Sequence, residues 1–265
     1  GDNIGPAGGL TGTNNNSVSN SYNTGSINIS NKASTSTYGN FGGLVGLNEG
    51  SWGSNATLNN SYSTGSITVS NSNGSNVGGL VGENSRTTLN NSYSMASVTI
   101  NSGAADDNVG GLVGYNGWES TINKSYSIGK VKGDVTESLG GLVGGNKYNA
   151  TVNNSFWNTE TSSLSTSDGG TGKSTAEMND RCTFAGWSFA SVDSHIDGEW
   201  TIDEPGNDND GYPALAWQEM NNSYGPCPPY VVTGNASNIS AASAALNAEI
   251  ISNGGSEITS RGFCW

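Results

Sequence analysis

A Gly-Gly-Leu triplet returns five times: Gly8-Gly9-Leu10, Gly42-Gly43-Leu44, Gly78-Gly79-Leu80, Gly110-Gly111-Leu112 and Gly140-Gly141-Leu142. Four copies extend to Gly-Gly-Leu-Val-Gly-x-Asn, as in Gly78 to Asn84. A signal spaced roughly 30 to 36 residues apart marks a repeat architecture, in which each unit buries its apolar side against the next. With 40 glycines and only 32% hydrophobic residues, the composition by itself points towards disorder. Stacking removes the conflict, because recurring inward positions build a long, thin core from few apolar side chains.

Two further blocks share the period. One reads Val18-Ser19-Asn20-Ser21-Tyr22, Leu58-Asn59-Asn60-Ser61-Tyr62, Leu89-Asn90-Asn91-Ser92-Tyr93, Ile122-Asn123-Lys124-Ser125-Tyr126 and Val152-Asn153-Asn154-Ser155-Phe156. The other includes Ser26-Ile27-Asn28-Ile29, Ser66-Ile67-Thr68-Val69, Ser97-Val98-Thr99-Ile100 and Lys130-Val131-Lys132. Short, β-branched, alternating segments bounded by Gly, Asn and Ser read as half-buried strands. Three strands per unit, repeated about five times, predict a coil in which each strand pairs with its counterpart about 4.8 Å away.

Within such a coil, Leu44, Leu80, Leu112 and Leu142 should line up inside, as should Leu58, Leu89, Ile122 and Val152. The paired glycines are expected to supply positive φ and close approach at a bend. The serine before each Tyr or Phe is expected to bond neighbouring backbone, and the recurrent asparagines to form stacked amides at turns. Lys124 stands where other units have Asn, so a bend between Ile122 and Tyr126 should turn that position outward.

A net charge of −13 with nine Lys and Arg leaves no basic stripe for nucleic acid or an anionic membrane surface. The longest apolar stretches, such as Pro213 to Trp217, fall far short of the roughly 20 residues that span a bilayer. The chain opens Gly1-Asp2-Asn3 with neither an initiating Met nor a signal peptide, which reads as a piece processed from a longer product. Cys182, Cys227 and Cys264 permit one disulfide and one leftover thiol, with the pairing open.

The combination Gly-Gly-Leu-Val-Gly-x-Asn followed by Asn-Ser-Tyr-Ser-x-Gly-x-Val resembles the GLUG-motif repeat of bacterial secreted and surface proteins, over roughly residues 8 to 156. The stretch from Phe156-Trp157-Asn158 through Gly169-Gly170-Thr171-Gly172 and Phe184-Ala185-Gly186-Trp187 to Tyr212-Pro213-Ala214-Leu215 resembles the ending that follows such repeats. The resemblance implies an all-β, right-handed parallel β-helix on a bacterial cell surface, without a defined activity. From Tyr230 onward, Val231-Val232-Thr233 and Ala248-Glu249-Ile250 resemble the first strands of a fibronectin-type-III-like module, which breaks off after Trp265. The expected organisation is a solenoid over 1–157, a capping region over 158–226 and an incomplete sandwich over 227–265. In the cap, Ser174 with Glu177 forms a capping-box signature for one short helix. The aromatic residues that follow should cover the open end of the stack.

The candidate sites are few. Gly169-Gly170-Thr171-Gly172-Lys173-Ser174 lacks the first glycine of a Walker loop, since Ser167 stands there, and reads as a turn into the helix. His195, the single histidine, has Asp193 and Asp197 nearby but no nucleophile arranged with it. The loop from Asp203 to Gly211, with Asp203, Asp208 and Asp210, offers alternating oxygen ligands that suit calcium, though not in EF-hand register. A large side chain follows the Gly-Gly-Leu block in four units: Trp52 in an insertion, then Arg86, Trp118 and Tyr148, each six residues past its Leu. The last three should stack on one turn as an exposed aromatic and cationic strip, the makings of a sugar-binding surface.

The functional expectation is a non-catalytic extracellular β-solenoid, an adhesin or structural stalk whose partners are host or matrix glycans or proteins. The alternatives are a glycan-binding or carbohydrate-active β-helix, or an accessory region of a surface peptidase. Cleavage sites on such scaffolds need clustered carboxylates or a base with a metal, and the aligned units carry Asn, Ser and Thr there instead.

Overall fold

The computed structural model describes residues 5–30, 39–51, 55–70, 74–101, 106–133, 138–190, 199–202, 208–218, 230–233, 237, 245 and 247–252. The fold is a parallel β-solenoid. Each coil has five short strands, seen in the third as Asn76–Gly78, Val81–Ser85, Thr87–Asn90, Tyr93–Ser94 and Ser97–Asn101. Equivalent strands pair in parallel from coil to coil into five sheets, with repeat positions in register: Leu58, Leu89, Ile122 and Val152 share a row, as do Val45, Val81, Val113 and Val143. Among the described residues four coils are complete and the fifth has four of the five strands.

Three strands per unit were expected and five are present. The additional ones arise because the Gly-Gly-Leu block is itself a corner. Asn76–Gly78 enters it and Val81–Ser85 leaves it, with Gly79-Leu80 between them. Leu80 N donates to Leu112 O, and Leu80 O accepts from Leu44 N below, so even the corner is hydrogen-bonded between coils.

Two apolar columns fill the interior. Leu44, Leu58, Leu80, Leu89, Leu112 and Ile122 are fully buried in one. Phe41, Ile67, Val77, Val98, Val109 and Ile100 fill the other. The glycine pairs act through space alone, since none has a left-handed backbone. A β-carbon on Gly79 would lie 2.1 Å from Gly111 O and 2.2 Å from Ser94 Oγ, and one on Gly78 would lie 1.9 Å from Val81 O. The expected positive φ is therefore incorrect, whereas the expected close approach is present.

Positive φ falls on the Asn block instead. Asn20, Asn60, Asn91, Lys124 and Asn154 have φ between 44° and 49°. That is the bend expected beside Lys124, at a conformation Asn tolerates best among non-glycine residues. The next residue closes the bend: Ser92 Oγ donates to Asn90 O at 2.7 Å and accepts from Ser61 N at 3.2 Å, and Ser61 and Ser125 repeat the motif. Each hydroxyl thus satisfies one backbone group in its own coil and one in the neighbouring coil.

The solenoid does not stop at residue 157. Residues 164–168 close over the fifth coil, with Gly141 N donating to Thr166 O and Ser167 Oγ accepting from Val143 N. Thr171–Lys173 then adds a sixth strand to the tyrosine-bearing sheet. Two short helices, Thr159–Ser162 and Thr175–Met178, follow the rungs. The second has the expected capping box, Ser174 Oγ accepting from Glu177 N and Glu177 Oε2 accepting from Ser174 N. These hydrogen bonds and Lys173 hold the Glu177 carboxyl down to about 2.

The following aromatic residues were expected to close the open end, but they pack along the flank. Tyr22, Tyr62, Tyr93 and Tyr126 stack with centroids 5.0 to 5.2 Å apart. Phe184, Trp187, Trp200, Tyr212 and Leu215 cover that column, and Trp217 Nε1 donates to Asn60 O back in the second coil. Burial raises the Tyr126 phenol well above its ordinary value, where its hydroxyl donates to Pro213 O and accepts from Asn209 Nδ2. Cys182 at the edge of this layer is disulfide-bonded, and the other two cysteines lie outside the described residues. Tyr230–Thr233 and Ala248–Ser252 form an antiparallel pair. Among the described residues no helix is long and apolar enough to cross a membrane.

Candidate functional site

The turn between the second and third sheets carries the strip. In the fourth coil, Trp118 and Glu119 have φ of 54° and 62°, and Ser120 N donates back to Gly117 O. In the fifth, Tyr148 and Asn149 have φ of 55° and 60°, and Ala150 N donates to Lys147 O. Positive φ at both central residues is the arrangement of a type I′ turn, which ordinarily selects Asn and Gly. The third coil turns on Arg86 alone, at φ 53°. Backbone bonds tie the turns together, Arg86 N to Trp118 O and Glu119 N to Tyr148 O.

These turns bring the three side chains into one column. The Trp118 and Tyr148 rings stack at 4.3 Å between centroids and 15° between planes, and the Arg86 guanidinium carbon lies 5.3 Å from the Trp118 ring centre. Trp118 is 44% and Tyr148 56% exposed, whereas the equally regular Tyr93 and Tyr126 are buried. The result is an outward apolar face with a cation at its edge, suited to packing against the carbon face of a sugar ring. Trp52, the fourth expected member, lies outside the described residues.

Beside the strip, the third sheet presents two polar rows. Thr57, Thr88, Thr121 and Thr151 form one row. Asn59, Asn90, Asn123 and Asn153 form the other, each amide donating to the one in the preceding coil at 2.8 to 3.0 Å. Next to the Asn row, Asn60, Asn91 and Lys124 turn the corner and line a furrow of about 550 Å³. The stacked amides expected at the turns are present in this ladder, whereas a furrow beside them was not expected. The signal for a furrow was present, since two adjacent Asn per unit is more amide than one bend needs.

A second amide ladder is interior. Asn14, Asn48, Asn84, Asn116 and Asn146, the last residue of each Gly-Gly-Leu block, donate in sequence at 2.7 to 2.8 Å. Thr87 Oγ1 also bonds Asn84 Oδ1. Along the outer face of the first and second sheets, Glu83 accepts from the side-chain amides of Asn40 (2.9 Å) and Asn76 (3.2 Å). Burial raises the Glu83 carboxyl above its ordinary value in spite of those two bonds.

The acidic loop gathers no cation site among the described residues, where no group of three or more His, Cys, Asp or Glu is placed to hold a metal. Asp203 lies outside the described residues and only the backbone of Asp208 is described. Asp210 is exposed, and its carbonyl accepts from Asn179 Nδ2. Asn209 points inward, its amide donating to Tyr126 Oη and to Pro213 O. His195, Asp193 and Asp197 lie outside the described residues. The Gly169–Ser174 segment holds no phosphate-loop geometry; it makes the last rung and the helix cap. Set beside family models, curated proteins and solved structures, the chain matches none of them.

Proposed function

We propose that this chain is a non-catalytic extracellular β-solenoid, the adhesive or structural stalk of a bacterial cell-surface protein that engages host or matrix glycans or proteins. The observation that carries the reading is the Arg86–Trp118–Tyr148 column on left-handed turns, with both rings exposed. Non-glycine residues in that conformation cost on the order of 1 kcal/mol each, and such strain collects at functional sites. A Trp and a Tyr kept there, stacked and exposed, are placed for contact with another molecule rather than for the stability of the turn. The GLUG-like repeat supports the cell-surface setting.

An array of glycans and matrix proteins, probed with the wild type, Trp118→Ala and Trp118→Asn, tests this. Asn suits the left-handed turn, so the second variant separates binding from folding. A hit lost in both variants, with melting temperature kept in Trp118→Asn, is the expected result. Wild-type hits that survive both substitutions remove the strip from the proposal.

A further inference from the structure

The furrow between the third and fourth sheets lies at the opposite end of each third-sheet strand from the strip: Arg86 precedes Thr87–Asn90 and Asn91 follows it. Its walls are almost wholly amide, from Asn59, Asn60, Asn90, Asn91 and Asn123, with Lys124 in the fourth coil. The outer amides bond one another up the ladder. The inner ones do not: Oδ1 of Asn60 and Oδ1 of Asn91 are buried without a hydrogen-bond partner. A buried acceptor left unpaired is costly, and a hydroxyl-bearing occupant that draws the amide round would satisfy it. Lys124, half-buried on the same row, has no carboxylate within ion-pair distance among the described residues.

These features recur at the coil spacing of about 4.8 Å, a length of the same order as one hexose unit in a linear chain. The fitting ligand is therefore a linear polymer with hydroxyls on every unit, lying along the solenoid axis. An extended peptide fits less well. Strand addition needs an open sheet edge, and here the strands on both sides of the furrow are already paired to the coils above and below. The Lys124 ammonium selects among saccharides, because an ammonium among neutral amides favours a carboxylate. Charges on the chain that lie beyond about 8 Å of the furrow are largely screened at physiological salt.

We propose that the Asn60–Asn91–Lys124 furrow binds a linear, carboxylate-bearing saccharide along the solenoid axis, with sugar hydroxyls on the asparagine amides and one carboxylate on Lys124. This site is separate from the aromatic strip and stands or falls without it.

The test is calorimetric titration with uronic-acid tetramers (galacturonate, alginate and hyaluronate) and with their neutral methyl esters. The variants are Lys124→Asn, which restores the residue other coils carry, and Asn91→Gly, which keeps the left-handed bend. The wild type should bind at least one acid tetramer about ten-fold more tightly than its ester. Lys124→Asn should erase that preference while leaving ester binding, and Asn91→Gly should weaken both forms. Equal affinity for acid and ester, an acid preference that survives Lys124→Asn, tighter binding of extended acidic peptides than of the saccharides, or no binding of any tetramer would each overturn the proposal.

Discussion

Gly79 and Trp118 invert the usual expectation for their residue types. Gly79 has an ordinary backbone and is glycine because a β-carbon would meet Gly111 O at 2.1 Å and Ser94 Oγ at 2.2 Å. Trp118 has the left-handed backbone that glycine would relieve. Gly79→Ala is therefore expected to destabilise the solenoid by about 2 kcal/mol or more, because the clash is with the backbone of a packed neighbour. Gly5→Ala, where nothing lies within 4 Å of the added carbon, should shift the urea midpoint little. Similar midpoints for the two variants would contradict this account of the Gly-Gly pair. The recurrence of the pair was readable in sequence, but its cause was not, because the atoms it must avoid are distant along the chain: Gly111 O in the next coil, 32 residues on, and Ser94 Oγ across its own coil. Arg86, Trp118 and Tyr148 were readable for the converse reason: a common offset from each Leu becomes adjacency once coils stack in register.

At the scale of a strand, the Val81–Ser85 rung shows how a solenoid tolerates a charge. Glu83 sits beside Asn40 and Asn76, with its carboxyl raised from the ordinary 4.5 by burial. A raised carboxyl binds its proton more tightly in the folded state than in the unfolded one. Its contribution to stability is thus fully present below the unfolded value, and is lost as pH rises through the folded one. Glu83→Gln keeps an acceptor for the two asparagine amides and removes the buried charge. The variant should therefore be more stable than the wild type at pH 7, with the difference vanishing below about pH 4. Thermal melts of both proteins from pH 3 to pH 8 measure this, and a wild type that is the more stable at pH 7 would refute it. Strand number was where sequence reading fell short. Asn-Val-Gly and Gly-Gly-Leu have weak strand signatures, since glycine lacks β-propensity, so two strands and their corner read as one block.

Over the whole molecule, two kinds of stability meet along the tyrosine column. Coil-to-coil stacking is a nearest-neighbour affair, whereas the flanking layer of Phe184, Trp187, Trp200, Tyr212 and Trp217 reaches from the fifth coil back to the second. None of those residues shares the repeat period, so nothing in their spacing indicates that they run down the side instead of over the end. Trp200 is at the centre of this layer, fully buried against Tyr93, Tyr126 and Trp187. Trp200→Ala should cost about 3 to 5 kcal/mol, and the loss should fall on the layer before the coils. Tryptophan fluorescence would then unfold at lower urea than in the wild type, and the far-UV circular dichroism of the coils would follow at higher urea. The disulfide at Cys182 would hold the loosened layer to its covalent partner without restoring its packing. If fluorescence and circular dichroism shift together to one lower midpoint, the layer and the coils form a single cooperative unit. The flank would then be as much a part of the solenoid's core as the leucine column inside it.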